Sequence, residues 1–72
     1  MSKRYWAGFV SPKDNFGDTI TDEFIDAPTK RGPWALMTPA SWKLHRRFSV
    51  LGTGYGQKYR KQVDGRWLKV AG

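Results

Sequence analysis

Apolar positions in this chain fall into short clusters rather than long amphipathic runs. In residues 4–10, Tyr5, Ala7 and Phe9 alternate with Trp6 and Val10, which predicts a strand buried on both sides, with Gly8 marking a weak point or a close approach. Residues 11–17, Ser-Pro-Lys-Asp-Asn-Phe-Gly, are dense in turn formers and predict a loop. Residues 18–26 read two ways. Asp18 or Thr19 followed by Asp22 and Glu23 resembles a helix cap, and Ile20, Phe24 and Ile25 sit at helical spacing, so the segment supports one short turn of helix or an extended acidic stretch. Pro28 and Pro33, inside residues 27–33, argue against any regular element there.

The second half is more regular. Trp34-Ala35-Leu36-Met37 predicts a short buried strand, and Thr38 followed by Pro39 is a helix start, the hydroxyl as N-cap and the proline at the first helical position. The helix is expected from Pro39 to about Phe48, with Ala40, Leu44, Arg47 and Phe48 as its stripe. Gly52, Gly54 and Gly56 at alternate positions end it. Residues 57–63 and 66–70 then alternate around Asp64-Gly65, which predicts a hairpin closed by a type I′ turn. That turn pairs Val63 with Arg66, Gln62 with Trp67, Lys61 with Leu68, Arg60 with Lys69 and Tyr59 with Val70. One face then carries Tyr59, Val63, Leu68 and Val70 toward the core. The other presents Lys58, Arg60, Gln62, Trp67 and Lys69.

These elements predict one α+β domain over residues 1–72, a small antiparallel sheet with a C-terminal hairpin and one short helix. An all-β arrangement, SH3-like or ribbon-like, stays open. At 72 residues the core is small and stability marginal, and with no cysteine it has no disulfide to compensate, so packing falls to the eleven aromatic side chains.

Charge changes the picture because it is lopsided. The first 29 residues hold three basic and five acidic side chains, whereas from Lys30 onward ten basic residues face Asp64 alone, for a net charge of +7 over the chain. Such asymmetry points to an anionic partner: nucleic acid first, DNA or RNA, then an acidic protein surface, then anionic lipid. The plain alternative is a basic solvated surface. No apolar run is long enough for a membrane span, and the start lacks a signal-peptide core, so a cytoplasmic location is the expectation.

The candidate site is the second hairpin face. Arg60 opposite Lys69 is a repulsive cross-strand pair that a phosphate backbone relieves, while Trp67 offers a stacking surface. Arg46 and Arg47 on the helix add support, and Arg46 one turn from Trp42 suggests a cation-π pair that is more a structural feature than a binding one. The expected nucleic-acid-binding set is therefore Lys58, Arg60, Trp67, Lys69, Arg46 and Arg47. The alternative for the hairpin face is a solvated surface with the indole folded over lysine stems. Residues 52–58, Gly-x-Gly-x-Gly-x-Lys, resemble a phosphate loop only superficially, since they run into a strand. His45 is the sole histidine, no serine stands in a nucleophile motif, and the acids at Asp14, Asp18, Asp22, Glu23 and Asp26 match no ligand pattern. Neither an enzyme nor a metal or other cofactor is expected.

Residues 20–26 (Ile-Thr-Asp-Glu-Phe-Ile-Asp), 32–41 (Gly-Pro-Trp-Ala-Leu-Met-Thr-Pro-Ala-Ser) and 51–59 (Leu-Gly-Thr-Gly-Tyr-Gly-Gln-Lys-Tyr) resemble a group of small uncharacterised phage and bacterial proteins that carry two Cys-x-x-Cys knuckles. The resemblance covers about half the chain. Thr38 and Ser41 stand at the second knuckle, and residues 14–17 near the first. It implies a zinc-ribbon-like scaffold without its metal, with residues 38–41 as a knuckle turn instead of a helix start. It also implies a phage origin, hence the host cytoplasm, and either nucleic-acid binding or an interaction protein that docks on an acidic surface of a host enzyme.

Overall fold

The computed structural model describes residues 3–72; Met1 and Ser2, part of the single expected domain, lie outside the described residues. Four strands and one helix follow one another: β1 (Glu23–Pro28), β2 (Trp34–Met37), α1 (Pro39–His45), β3 (Gln57–Lys61) and β4 (Trp67–Ala71). The strands form one antiparallel sheet in the order β2-β1-β3-β4, so the fold is the expected α+β sheet with a C-terminal hairpin. Among the described residues no helix is long and apolar enough to cross a membrane.

β1 is the central strand, drawn from the segment whose sequence read two ways. Its burial is nearly continuous, with Phe24, Ile25 and Ala27 all buried, because both of its faces are covered. Ile25 and Ala27 pack with Met37 under Ala35, Trp42 and Leu51 on the helix side, while Phe24 points the other way into a group of rings. A strand covered on both faces loses the polar alternation that would announce it. Pro28 ends β1 opposite Trp34, where β3 no longer runs alongside, so its missing N–H disrupts no central ladder. The expectation of an irregular 27–33 connection is corrected to that extent, and the turn proper is residues 29–33, closed by Thr29 N–H on the Pro33 carbonyl at 3.0 Å.

The helix begins as the sequence indicates. The Thr38 hydroxyl accepts from Ser41 N–H at 3.1 Å, and Pro39 occupies the first turn. It stops at His45, three residues short of expectation, because the chain there pairs with the β1–β2 corner instead: Lys30 N–H reaches the His45 carbonyl at 2.9 Å and Arg47 N–H the Pro28 carbonyl at 3.1 Å. The predicted stripe is also corrected. Leu44 is 68% exposed and Ala40 is exposed, whereas Ser41 is buried and Trp42 packs on the core.

Loop 13–19 clamps this half. Burial pushes the Asp14 carboxyl up, but hydrogen bonds from Thr38 N–H, the Ser41 side chain, Asp18 N–H and Phe16 N–H outweigh it and hold the group below its ordinary range. Asn15 exchanges two hydrogen bonds with the Leu36 backbone, closing the outer edge of β2. At the other edge, Tyr5 bridges Leu68, Trp6 N–H donates to the Trp67 carbonyl and Lys69 N–H to the Arg4 carbonyl. The expected 4–10 strand is thus reduced to a short addition to β4, and Phe9 stands 83% exposed beyond Gly8.

Gly56 shows why the alternate glycines matter. A Cβ there would lie 2.5 Å from the Ala27 Cβ, at a φ of 131°, so only glycine lets the 52–56 turn close over β1.

Candidate nucleic-acid interface

The site depends on how β3 and β4 are registered, and the register differs by one residue from the sequence reading. Gln62 N–H donates to the Arg66 carbonyl and Gly65 N–H to the Gln62 carbonyl, which closes a three-residue loop, Val63-Asp64-Gly65. Positive φ occurs at Gly65 (89°) but at no non-glycine residue described, so Asp64 is not in the left-handed conformation a type I′ turn requires. Asp64 instead accepts from Arg66 N–H and Arg66 Nε, both at 2.9 Å. Lys61 now pairs with Trp67, Arg60 with Leu68 and Tyr59 with Lys69, and a bulge at Val70 brings Lys58 opposite Ala71.

Shifting the pairing by one residue exchanges partners between the two faces of the sheet. Trp67 and Lys69 share a face with Tyr59, Lys61, Phe24 and Trp6. Lys58 and Arg60 lie on the opposite face, so the expected repulsive pair of Arg60 with Lys69 does not exist, and the six sequence-predicted residues do not form one surface. Val63, expected in the core, is fully exposed in the turn. Arg46 and Arg47 stand beyond the other end of β1, at Pro28 and Thr29. Arg46 covers the Trp42 ring at 4.9 Å, the cation-π pair anticipated from their spacing.

The two faces differ in how their cations are engaged. Arg60 binds Glu23 through Nη2 at 2.7 Å and Nε at 2.8 Å, and Lys58 adds a contact at 3.3 Å. The Arg60 hydrogen bond, opposed in part by burial and helped by Lys58, holds the Glu23 carboxyl below its usual range. On the other face the rings make an interlocked group: Phe24 lies 5.0 Å from Trp67, 5.2 Å from Tyr59 and 5.3 Å from Trp6, mostly edge to face. Trp67 keeps part of its surface exposed, with Lys61 Nζ 5.8 Å from its ring centre.

Arg4 and Lys69 stand side by side across the edge ladder, and with Lys3 they line a shallow hollow of about 420 Å³ along β4. Among the described residues, Lys3, Arg4, Lys61 and Lys69 make no ion pair. Two acids of the β1 segment share this face: Asp26, half-buried, whose carboxyl is pushed up by burial, and the exposed Asp22, whose carbonyl accepts from Lys61 N–H and whose carboxyl forms no ion pair among the described residues. Burial and then the Asp26 charge push the Tyr59 phenol up, and the Arg4 charge opposes them.

The sequence reading missed Lys61, assigned to the core side by the wrong register, and Arg4, whose place beside Lys69 needs a long-range pairing. No three His, Asp or Glu side chains converge to hold a metal ion among the described residues. Asp14 accepts from Thr38 N–H and Asp18 from the Thr38 hydroxyl, and Thr38 caps a helix instead of opening a knuckle turn. No protein-family model matches the chain, and neither a curated protein nor a solved structure shows significant similarity to it.

Proposed function

We propose that the domain binds single-stranded nucleic acid, without catalysis, on the sheet face that carries Trp67, Lys61, Lys69 and Arg4. What supports this reading is one juxtaposition: a partly exposed indole flanked by cations that no described acid neutralises. Ring and cation then divide the work, the indole stacking on a base for about 1–3 kcal/mol while the cations contact the phosphates beside it. Lys58 and Arg60, occupied by Glu23, contribute little in this revised site.

Tryptophan fluorescence titrated with single- and double-stranded oligonucleotides at two salt concentrations tests the proposal. Salt-sensitive binding at micromolar protein, stronger for the single strand, is expected; its absence ends the proposal. The same free cations suit an acidic protein surface, the second reading. A stoichiometric protein captured from nuclease-treated lysate, with no oligonucleotide binding, favours that reading instead.

A further inference from the structure

At the opposite end of β1 lies a cleft of about 330 Å³ lined by Phe16, Thr29, Lys30, Arg31 and His45. Its volume is at the low end of the roughly 300–1,000 Å³ typical of small-ligand sites. One wall is aromatic: Phe16 and His45 stack with ring centres 3.7 Å apart and planes 4° from parallel, and Phe16 remains 44% exposed. The other is cationic, since Lys30 and Arg31 make no ion pair among the described residues.

Both walls are fixed by the backbone. Lys30 N–H bonds the His45 carbonyl, Gly32 N–H the Thr29 carbonyl, and the Thr29 hydroxyl the Pro33 carbonyl, which holds the basic turn against the end of α1. Phe16 N–H is held by Asp14. The acids flanking Phe16 in sequence turn to backbone and hydroxyl donors, Asp14 to the Thr38, Phe16 and Asp18 amides and Asp18 to the Thr38 hydroxyl, and among the described residues neither forms an ion pair with Lys30 or Arg31. Arg46, bridged to Thr29, and Arg47 beside it add to that charge.

We propose that this cleft takes a phosphomonoester attached to a planar ring, the chemistry of a nucleoside monophosphate, with phosphate on Lys30 and Arg31 and the ring against the Phe16 and His45 pair. A guanidinium recognises a phosphate with two parallel hydrogen bonds, and an aromatic wall beside it selects a phosphate that carries a base. The site is separate from the Trp67 face and stands or falls independently of it. Its ligand has two sources, a free nucleotide or the phosphorylated end of a strand.

His45 is the only histidine, so its ring protons are a single, unambiguous NMR reporter. Titration with adenosine 5′-monophosphate is expected to move them saturably, with adenosine and inorganic phosphate each binding at least about tenfold more weakly. Arg31→Gln, on an exposed turn, is expected to weaken the nucleotide by about tenfold while leaving the folded spectrum intact. Competition by a 5′-phosphorylated oligonucleotide but not its 5′-hydroxyl twin identifies a strand end as the source, and binding of the free nucleotide without that competition identifies the nucleotide. No saturable shift by any of these probes, equal binding of adenosine and its monophosphate, or an unchanged response in Arg31→Gln overturns the proposal.

Discussion

On one side of β1, Ile25 and Ala27 disappear beneath Met37, Trp42 and Leu51, and the cations of β3 on that side close on Glu23. On the other, Phe24 is covered by rings alone, and Arg4, Lys61 and Lys69 have no acid partner among the described residues. Both faces are built from the same strands, and residues that alternate along β3 meet opposite fates: Arg60 is neutralised and Lys61 is not. The difference separates the scaffold from the proposed interface. On the first face Glu23 pairs off the cations of β3, and on the second positive charge and aromatic surface stand together, the combination on which the proposed partner rests.

The most severe way to break this comparison is to remove the residue that anchors the open face. Phe24 is fully buried and touches three other rings, so Phe24→Ala is expected to cost about 3–5 kcal/mol, most of the stability of a domain this small. Urea denaturation checks it, and a loss under about 1 kcal/mol contradicts the packing described.

On the helix side the corresponding anchor is polar. Asp14→Asn replaces a carboxylate oxygen facing the Thr38 amide by a second donor and is expected to cost about 1–3 kcal/mol. Its pH dependence has a definite sign. The folded-state carboxyl lies below its unfolded value, so its stabilisation is complete above the unfolded value, about 4, and is lost as pH falls through the folded one. Denaturation midpoints measured down into acid should show that loss in the parent and less of it in Asp14→Asn. Asp26, on the open face, works in reverse: burial raises its carboxyl, so the charged form is penalised at neutral pH and Asp26→Asn should raise the midpoint there.

The smallest effect belongs to the turn. Val63→Thr changes a fully exposed side chain and is expected to shift stability by no more than about 0.5 kcal/mol. A larger loss would restore Val63 to the core and, with it, the two-residue hairpin register.

What the sequence made legible follows from where local chemistry decides the outcome. Trp34–Met37 as a strand and the start of α1 were readable because a breaker-bounded apolar run and a Thr-Pro cap act over a few residues, but the expected burial of that strand is corrected, since it lies at the sheet edge with Trp34 exposed and Met37 alone buried. β1 was not, since its identity as a strand comes from partners on both faces, and Glu23 and Asp26 interrupt its apolar pattern. At the hairpin, Asp64-Gly65 suits both a two-residue loop and a three-residue loop with glycine in the left-handed position. The latter register places Trp67 against Phe24, a contact far away in sequence that no local motif encodes. For the candidate site, that single slip kept Trp67 and Lys69 together, moved Lys58 and Arg60 away and brought Lys61 in.

Oligonucleotide affinity measured against salt for two double variants tests the distinction between the faces most directly. Lys61→Ala with Lys69→Ala should weaken single-strand binding about tenfold or more and reduce the slope of log affinity against log salt by between about one and two, while Lys58→Ala with Arg60→Ala should leave both nearly unchanged. Equal losses in the two variants, or a larger loss from the Glu23-bound pair, would contradict the account.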